Sequence, residues 1–202
     1  MQIFATEKIR AWDEFTIQHE PISSLDLMER AAAACYDWLT QEGYNNKNFS
    51  VYCAKGNNGG DGLAIARMLA ETGHRVTVNI LEFGHKGTDD FQANLARLHN
   101  YPGIVIRFIQ SEQHFPEPEG DAIIIDALFG SGLNRGLEGV TARLVDHLNR
   151  SGCTIISIDI PSGLFTDRSS IGNTITKARH TLAFQSYKLA FLVAENSSFT
   201  GN

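Results

Sequence analysis

Cysteine is scarce in this chain. Only Cys35, Cys53 and Cys153 occur among 202 residues, widely spaced and without a C-x-x-C pair. An odd, scattered set argues against a disulfide framework and a cysteine-held zinc; it reads as buried structural thiols in a reducing compartment. The seven histidines show no H-x-x-x-H or other transition-metal spacing, and each reads as structural or solvated. Positive charge is short as well: 17 Lys and Arg stand against 23 Asp and Glu, a formal net charge of −6. A general nucleic-acid binder needs a basic stripe, and this balance argues against one, while leaving room for a local phosphate site. No apolar run approaches the length that spans a membrane. The start, Met1-Gln2-Ile3-Phe4-Ala5-Thr6-Glu7-Lys8, lacks a charged-then-apolar signal pattern, so a cytoplasmic location is expected. Low-complexity tracts and internal repeats are absent too.

What is present suits one soluble globular domain over residues 1–202, with 43% hydrophobic and 20% charged residues. A domain of this length buries roughly 70% of its unfolded surface, enough for a full core. Two helices are expected first, at about Thr6 to Gln18 and from Ser23 or Ser24, where Ser23 and Asp26 have capping-box spacing. In the second, Leu27, Met28, Ala31, Ala32, Cys35, Trp38 and Leu39 make one helical stripe. Strands are expected at 49–54, 75–81, 104–109, 121–128 and 153–160, with helices at 61–72, 88–99 and 139–150. Ala122-Ile123-Ile124-Ile125 and Thr154-Ile155-Ile156-Ser157-Ile158 are continuously apolar and β-branched, as parallel strands buried on both faces are. The alternation implies a three-layer, Rossmann-like α/β fold: a doubly wound, mostly parallel sheet with two extra N-terminal helices. The tail 180–193 reads as one or two late strands.

Ligands of such sheets bind beyond the carboxyl ends of the strands. Three loops there have unusual composition. Gly56-Asn57-Asn58-Gly59-Gly60-Asp61-Gly62 joins a strand to a helix, and its glycines let a ligand approach the backbone near a helix N-terminus, where an anion such as phosphate is favoured. The plain alternative is a tight turn. The run fits neither G-x-G-x-x-G nor G-x-x-x-x-G-K-[ST]. The second loop runs from Asp126 through Gly130, Ser131, Gly132, Leu133, Asn134 and Arg135 to Gly136; the third is Asp159-Ile160-Pro161-Ser162-Gly163-Leu164. Asp126 and Asp159 each end a buried strand, where a carboxylate caps a helix or finds donors, a cation or a wet cleft. Asn58, Asp126 and Ser162 offer oxygen only. With one carboxylate among them, they suit a monovalent ion such as potassium better than magnesium or a transition metal. Arg135 is a phosphate partner or a surface residue. Lys188 is a strand-edge charge or a site lysine tuned by its apolar surroundings. No nucleophile–base signature occurs, and a lone carboxylate in a cleft points to proton transfer.

Together the three loops closely resemble the three signature loops of the NAD(P)H-hydrate epimerase family, the YjeF N-terminal domain. Leu27-Met28-Glu29-Arg30-Ala31 and Thr181-Leu182-Ala183-Phe184-Gln185-Ser186-Tyr187-Lys188-Leu189 are similar to further family segments. The resemblance implies an isomerase acting on NADHX or NADPHX, nicotinamide dinucleotides hydrated at C6 of the reduced ring. It would interconvert the R and S forms for a partner dehydratase, dependent on ADP or ATP and specific for S. It also implies a potassium ion on Asn58, Asp126 and Ser162; substrate held by Asn57, Asn58, Gly59, Gly60, Asp61 and the loop 130–136; and Asp159 at the reacting ring as acid/base, with Lys188 a second candidate for that machinery. Ala54-Lys55 stand where many members have Gly-Pro, and Lys55 adds a potential phosphate contact. Arg30 replaces the usual Asn, while Ser131 and Ser162 keep a hydroxyl where Thr is frequent. Residues 195–202 resemble a junction leading into a dehydratase domain. A homodimer through the first helices is expected. A binding module on the same fold is the alternative, against which the retained Asp126, Asp159 and glycine loop speak. A nicotinamide oxidoreductase is disfavoured, because the fingerprint is wrong and no acidic residue is placed cleanly after the second strand for a ribose.

Overall fold

The β-branched runs form the middle of a six-stranded sheet. The computed structural model describes residues 3–202. Its strands are β1 (Phe49–Cys53), β2 (Val76–Leu81), β3 (Val105–Ile109), β4 (Ile123–Ala127), β5 (Thr154–Ile158) and β6 (His180–Leu182). They lie in the order β3-β2-β1-β4-β5-β6, and every neighbouring pair is parallel. Ile123, Ile124 and Ile125 are all buried although they alternate in direction, because helices cover both faces. On one face α2 (Ser24–Gln41), α3 (Asn57–Glu71) and α4 (Asp89–Leu98) contribute Ala32, Leu39, Leu63, Leu69, Phe91 and Leu98 to the core. On the other, α5 (Gly139–Arg150) packs Leu144, Val145 and Leu148 against Tyr52, Ile124 and Ile155. The expected three-layer, doubly wound arrangement is therefore present, preceded by α1 (Thr6–His19) and α2.

Local signals set the helix starts. Ser23 Oγ accepts the Asp26 N–H at 3.0 Å to begin α2, and Thr88 Oγ1 accepts the Phe91 N–H at 3.3 Å to begin α4. The start of α3 departs from expectation. It begins at Asn57 rather than near 61, so most of the glycine run is the first turn of a helix and not a loop. Gly56 is the extended residue before it, and its carbonyl accepts the Gly60 N–H at 3.0 Å. The cause is close packing. A Cβ on Gly59 would stand 1.7 Å from the Ala54 carbonyl oxygen, and one on Gly62 would stand 2.5 Å from Ala127 Cβ and 2.9 Å from Cys53 Sγ. Without side chains there, α3 lies flush on the ends of β1 and β4.

The tail departs as well. Only His180–Leu182 is strand; Leu189–Leu192 and Ala194–Asn196 are 3₁₀ turns, followed by α6 (Ser197–Thr200). Gln185 has φ of 57°, which ends extended structure, and the chain then curls so that its carbonyls meet the Lys188 ammonium. The last residues line the sheet edge instead: Thr181 N–H donates to Asn202 O at 3.1 Å, and Asn202 N–H to Arg179 O at 3.0 Å.

The Gly59 contact is with backbone, which cannot rotate away. Overpacking costs about 1–3 kcal/mol or more, against about 1 kcal/mol gained by replacing a helical glycine. Gly59→Ala should therefore lower the urea midpoint by a net loss of about 2 kcal/mol at unchanged m-value. An unchanged or higher midpoint would refute the close approach.

Candidate active site

The order of strands reverses between β1 and β4: β1 leads outward to β2 and β3, whereas β4 leads to β5 and β6. A crevice opens at such a point, at the carboxyl ends of the strands. Here it is a cleft of about 900 Å³, large enough for a dinucleotide. Its walls are the first turn of α3 (Asn57, Asn58, Asp61), the turn after β4 (Leu128 to Arg135), Asp159 after β5, and the loop after β2 (Phe83, His85 to Thr88). Ile9 and Asp13 of α1 and Phe184 and Gln185 of the tail complete it.

Asp159 is held with unusual care. Its φ of 66° is left-handed, a conformation that costs a non-glycine residue about 1 kcal/mol or more and recurs at functional sites. The Asp159 N–H donates to Leu182 O at 2.8 Å. The carboxylate accepts the Ser131 N–H on Oδ2 at 2.8 Å and pairs through Oδ1 with Lys188 Nζ at 3.0 Å. Lys188 is 0% exposed, and its ammonium also donates to Phe184 O at 2.7 Å and Ser186 O at 3.2 Å. All three of its donors are used. Lys188 therefore fixes Asp159 and neutralises it; it is not a strand-edge charge. One carboxylate lone pair per oxygen remains to face the cleft, where Asp159 is 7% exposed.

Asp126 and Ser162 are joined one layer deeper, both fully buried. Asp126 Oδ1 accepts the Ser162 hydroxyl at 2.6 Å, and Oδ2 accepts the Ser162 N–H at 2.9 Å and the Ser157 hydroxyl at 2.8 Å. Ser162 Oγ in turn accepts the Phe129 N–H at 2.9 Å. Asn58 reaches the same turn from the other side: its amide oxygen stands 3.2 Å from where a Gly130 Cβ would be, beside Asp159 Oδ2 at 3.0 Å from it. Both polar atoms of the Asn58 side chain are buried without a hydrogen-bond partner among the described residues. Buried amides are almost always paired, so this one calls for a ligand. Asn58 lines the cleft, whereas Asp126 and Ser162 do not; they are hydrogen-bonded to each other beneath it. Among the described residues no three His, Cys, Asp or Glu side chains converge as a transition metal would need.

A second carboxyl lies in the same cleft. Burial holds the Asp61 pKa well above its ordinary 3.8, and Asp159, Asp13 and Asp90 push it the same way. Asp13 is raised too, by burial first and then by Asp159, with Lys188 opposing. The Asp159–Lys188 salt bridge thus sits beside a carboxyl whose pKa burial raises.

The other expected residues divide. Asn57, Ser131, Gly132, Leu133, Asn134 and Arg135 line the cleft. The Cα positions of Gly59 and Gly60 face Ala54 and Met28 instead, and that of Gly136 faces Asn173. Lys55 borders the cleft but is not free for phosphate: Glu82 holds it at 2.5 and 2.6 Å. Glu82 bears on the reading that no acidic residue is placed cleanly after the second strand for a ribose, since it is the first residue after β2. Asp13, Gln185 and the 83–88 loop were not singled out from the sequence. Gln185 hydrogen-bonds Asp13 and so ties α1 to the tail across the cleft. Only the end of β2 carried a signal that could have found its loop.

The chain is similar to known proteins. The family model described as "YjeF-related protein N-terminus" matches residues 24–190. An NAD(P)H-hydrate epimerase of Lentilactobacillus buchneri is 35% identical over 201 residues, covering 99% of this chain and 91% of that protein. One of Oenococcus oeni is 32% identical over 198 residues, covering 98% and 91%. The bifunctional NAD(P)H-hydrate repair enzyme Nnr of Coxiella burnetii is 31% identical over 204 residues, but this chain spans only 40% of its length. The yeast protein YNL200c shares the fold, with a TM-score of 0.82 at 19% identity over 97% of this chain and 86% of that one. The chain belongs to the YjeF-related N-terminal family, that of the NAD(P)H-hydrate epimerases.

Proposed function

We propose that this protein interconverts the R and S hydrates of NADH and NADPH, as its relatives are named for doing. The observation that carries the chemistry is Asp159, a carboxyl group oriented by Lys188 and the Ser131 N–H and turned to a dinucleotide-sized cleft. The hydrated carbon C6 bears a hydroxyl and adjoins the ring nitrogen. Inverting it requires a planar or ring-opened intermediate, supported by the nitrogen lone pair. In either route a proton leaves or joins the C6 oxygen, and Asp159 is the group that moves it. Lys188 has no donor to spare, so its part is to position Asp159 rather than to carry the proton. Asn57, Asn58, the N–H groups opening α3 and the 130–135 turn hold the dinucleotide, with the positive end of α3 favouring its phosphates.

Asn58, Asp126 and Ser162 suit a potassium ion, and the unpartnered Asn58 amide supports this reading. Such an ion would supply positive charge to substrate oxygens at the first turn of α3. The S hydrate would pass to an S-specific dehydratase driven by ADP or ATP, an activity that two-part relatives carry on one chain. The working place of such a pair is the reducing cytoplasm; no helix among the described residues is long and apolar enough to cross a membrane. Trp12 and Phe15, exposed on α1, support pairing of two copies through the N-terminal helices.

Purified R-hydrate, followed chromatographically, tests the assignment. Appearance of the S form should be accelerated in potassium and slower when a bulky organic cation replaces it. Asp159→Asn should lower kcat by roughly 10²–10⁴-fold, with NAD⁺ binding kept. A variant that epimerises at the parental rate would remove Asp159 from the chemistry.

Asp61 gives a pH prediction whose sign is opposite to that of a salt-bridged carboxylate. Unfolded it ionises near 3.8; folded it ionises well above that value. Below the unfolded value both states are protonated and no stability is at stake. As pH rises past it, the unfolded chain ionises first, and the fold loses stability until the folded value is passed. Asp61→Asn should therefore raise Tm at neutral pH, lose that advantage below pH 3.8, and lower epimerisation, a stability–activity trade. A Tm gain that persists undiminished at pH 3 would contradict the raised value.

A further inference from the structure

Lys55 lines the cleft on the β2 side, Glu82 pairs with it from behind, and the hydrogen-bond capacity of the pair can be counted. Lys55 Nζ donates to Glu82 Oε1 at 2.5 Å, to Oε2 at 2.6 Å and to His85 O at 2.8 Å. These use its three donors. Glu82 Oε1 also accepts the Gly84 N–H at 2.7 Å. Of the carboxylate's four lone-pair sites, the one left is on Oε2. The pair as a whole thus offers an acceptor and no donor. It is only partly solvated, with side-chain exposures of 9% for Lys55 and 20% for Glu82.

The position is as informative as the count. Glu82 directly follows β2, the place at which an acidic residue meets an adenosine ribose in doubly wound dinucleotide-binding folds. Lys55 and Phe83 on either side of it line the cleft. If the reacting ring lies at Asp159 beyond β5, the other half of the dinucleotide extends past β4 and β1 toward β2. That is three strand gaps, roughly 14 Å, a distance an outstretched dinucleotide covers. The remaining cation of this wall, Lys86, is 74% exposed and already faces Asp89 at 3.6 Å.

We propose that Glu82, held by Lys55, reads the adenosine ribose and makes the NADH hydrate the preferred substrate over the NADPH hydrate. A 2′-hydroxyl donates to the open Oε2 site. A 2′-phosphate donates nothing at neutral pH and brings its charge against a carboxylate whose partner ammonium is saturated. The inference rests on the epimerase reading for the word substrate, but not for the binding preference.

The test compares kcat/KM for the two hydrates and, separately, the Kd of NAD⁺ and NADP⁺ by calorimetry. The parent should favour the unphosphorylated form by about tenfold or more, the worth of about 1.4 kcal/mol. Glu82→Gln removes the repulsion and frees Lys55, so the ratio should move about tenfold toward the phosphorylated form. Lys55→Met leaves Glu82 without its counterion, so the ratio should move the other way. General loosening of the 82–88 loop would weaken both ligands and cancel in the ratio. A parent that prefers the phosphorylated form, or a Glu82→Gln ratio equal to the parent's, overturns the proposal. Shifted NAD⁺/NADP⁺ ratios without any epimerisation would uphold it while sinking the functional reading; epimerisation without shifted ratios would do the reverse.

Discussion

The arrangement depends on how closely α3 approaches the sheet. A helix normally stands off a strand by the length of its side chains. Here Gly59 meets the Ala54 carbonyl and Gly62 meets Cys53 and Ala127, with no Cβ between them. The helix can then begin immediately after β1, and its first turn lies at the crevice where the strand order reverses. Asn58 and Asp61 are thereby carried to the cleft, and the N–H groups that lack an intrahelical acceptor open toward it. The same glycines that look like a bare cradle for a ligand are the seam between helix and sheet. That moves recognition onto the side chains between and beside them.

The second constraint is the fully buried Lys188. An ammonium taken out of water destabilises the fold by several kcal/mol unless good partners surround it. Asp159 and the carbonyls of Phe184 and Ser186 are those partners, and meeting them bends the tail away from the sheet after Leu182. The bend brings Phe184 and Gln185 to the cleft, and Gln185 reaches Asp13 on α1. A requirement of burial thus shapes the wall that encloses the reacting end. It also sets the neighbouring charges apart. Asp61 close by has no such partner, and burial first, then the neighbouring Asp159, Asp13 and Asp90, raises its pKa.

Much of this was legible in the sequence because it is local. The isoleucine runs of β4 and β5 announce strands covered on both faces, and Ser23 with Asp26 announces the start of α2. Asp126 and Asp159 stood out because an acid ending an apolar run needs a reason. What was hidden depends on contacts distant in the chain. The early start of α3 depends on what its glycines meet, Ala54 and Ala127, which composition alone does not reveal. Lys188 in an apolar segment looks like an edge charge until the carbonyls that wrap it are seen. Glu82 sat just past the expected second strand, within reach of the ribose rule. Its meaning came only with Lys55, 27 residues away, and with the loop the pair holds. Asp13 lies on a helix outside the βα alternation, where no pattern ties it to the site.

The two ends of the cleft are built on different electrostatic terms. At the β5 end the charges are nearly dry: Lys188 and Asp159 sit in low dielectric, where each hydrogen bond is strong and each displacement costly. Such a site keeps one geometry, which a proton transfer to a single carbon's oxygen requires. At the β2 end the Lys55–Glu82 pair is partly wet, so its field is softened and its partners can adjust. In the proposed reading, rigidity is thus concentrated where the reaction would be oriented, and tolerance where a ribose and base would need only be held. A dinucleotide anchored at both ends would then be fixed in register by its phosphates on α3, with the buried pair deciding which atom meets Asp159. The sheet supplies the spacing between these ends, and the position of α3 along it supplies the register.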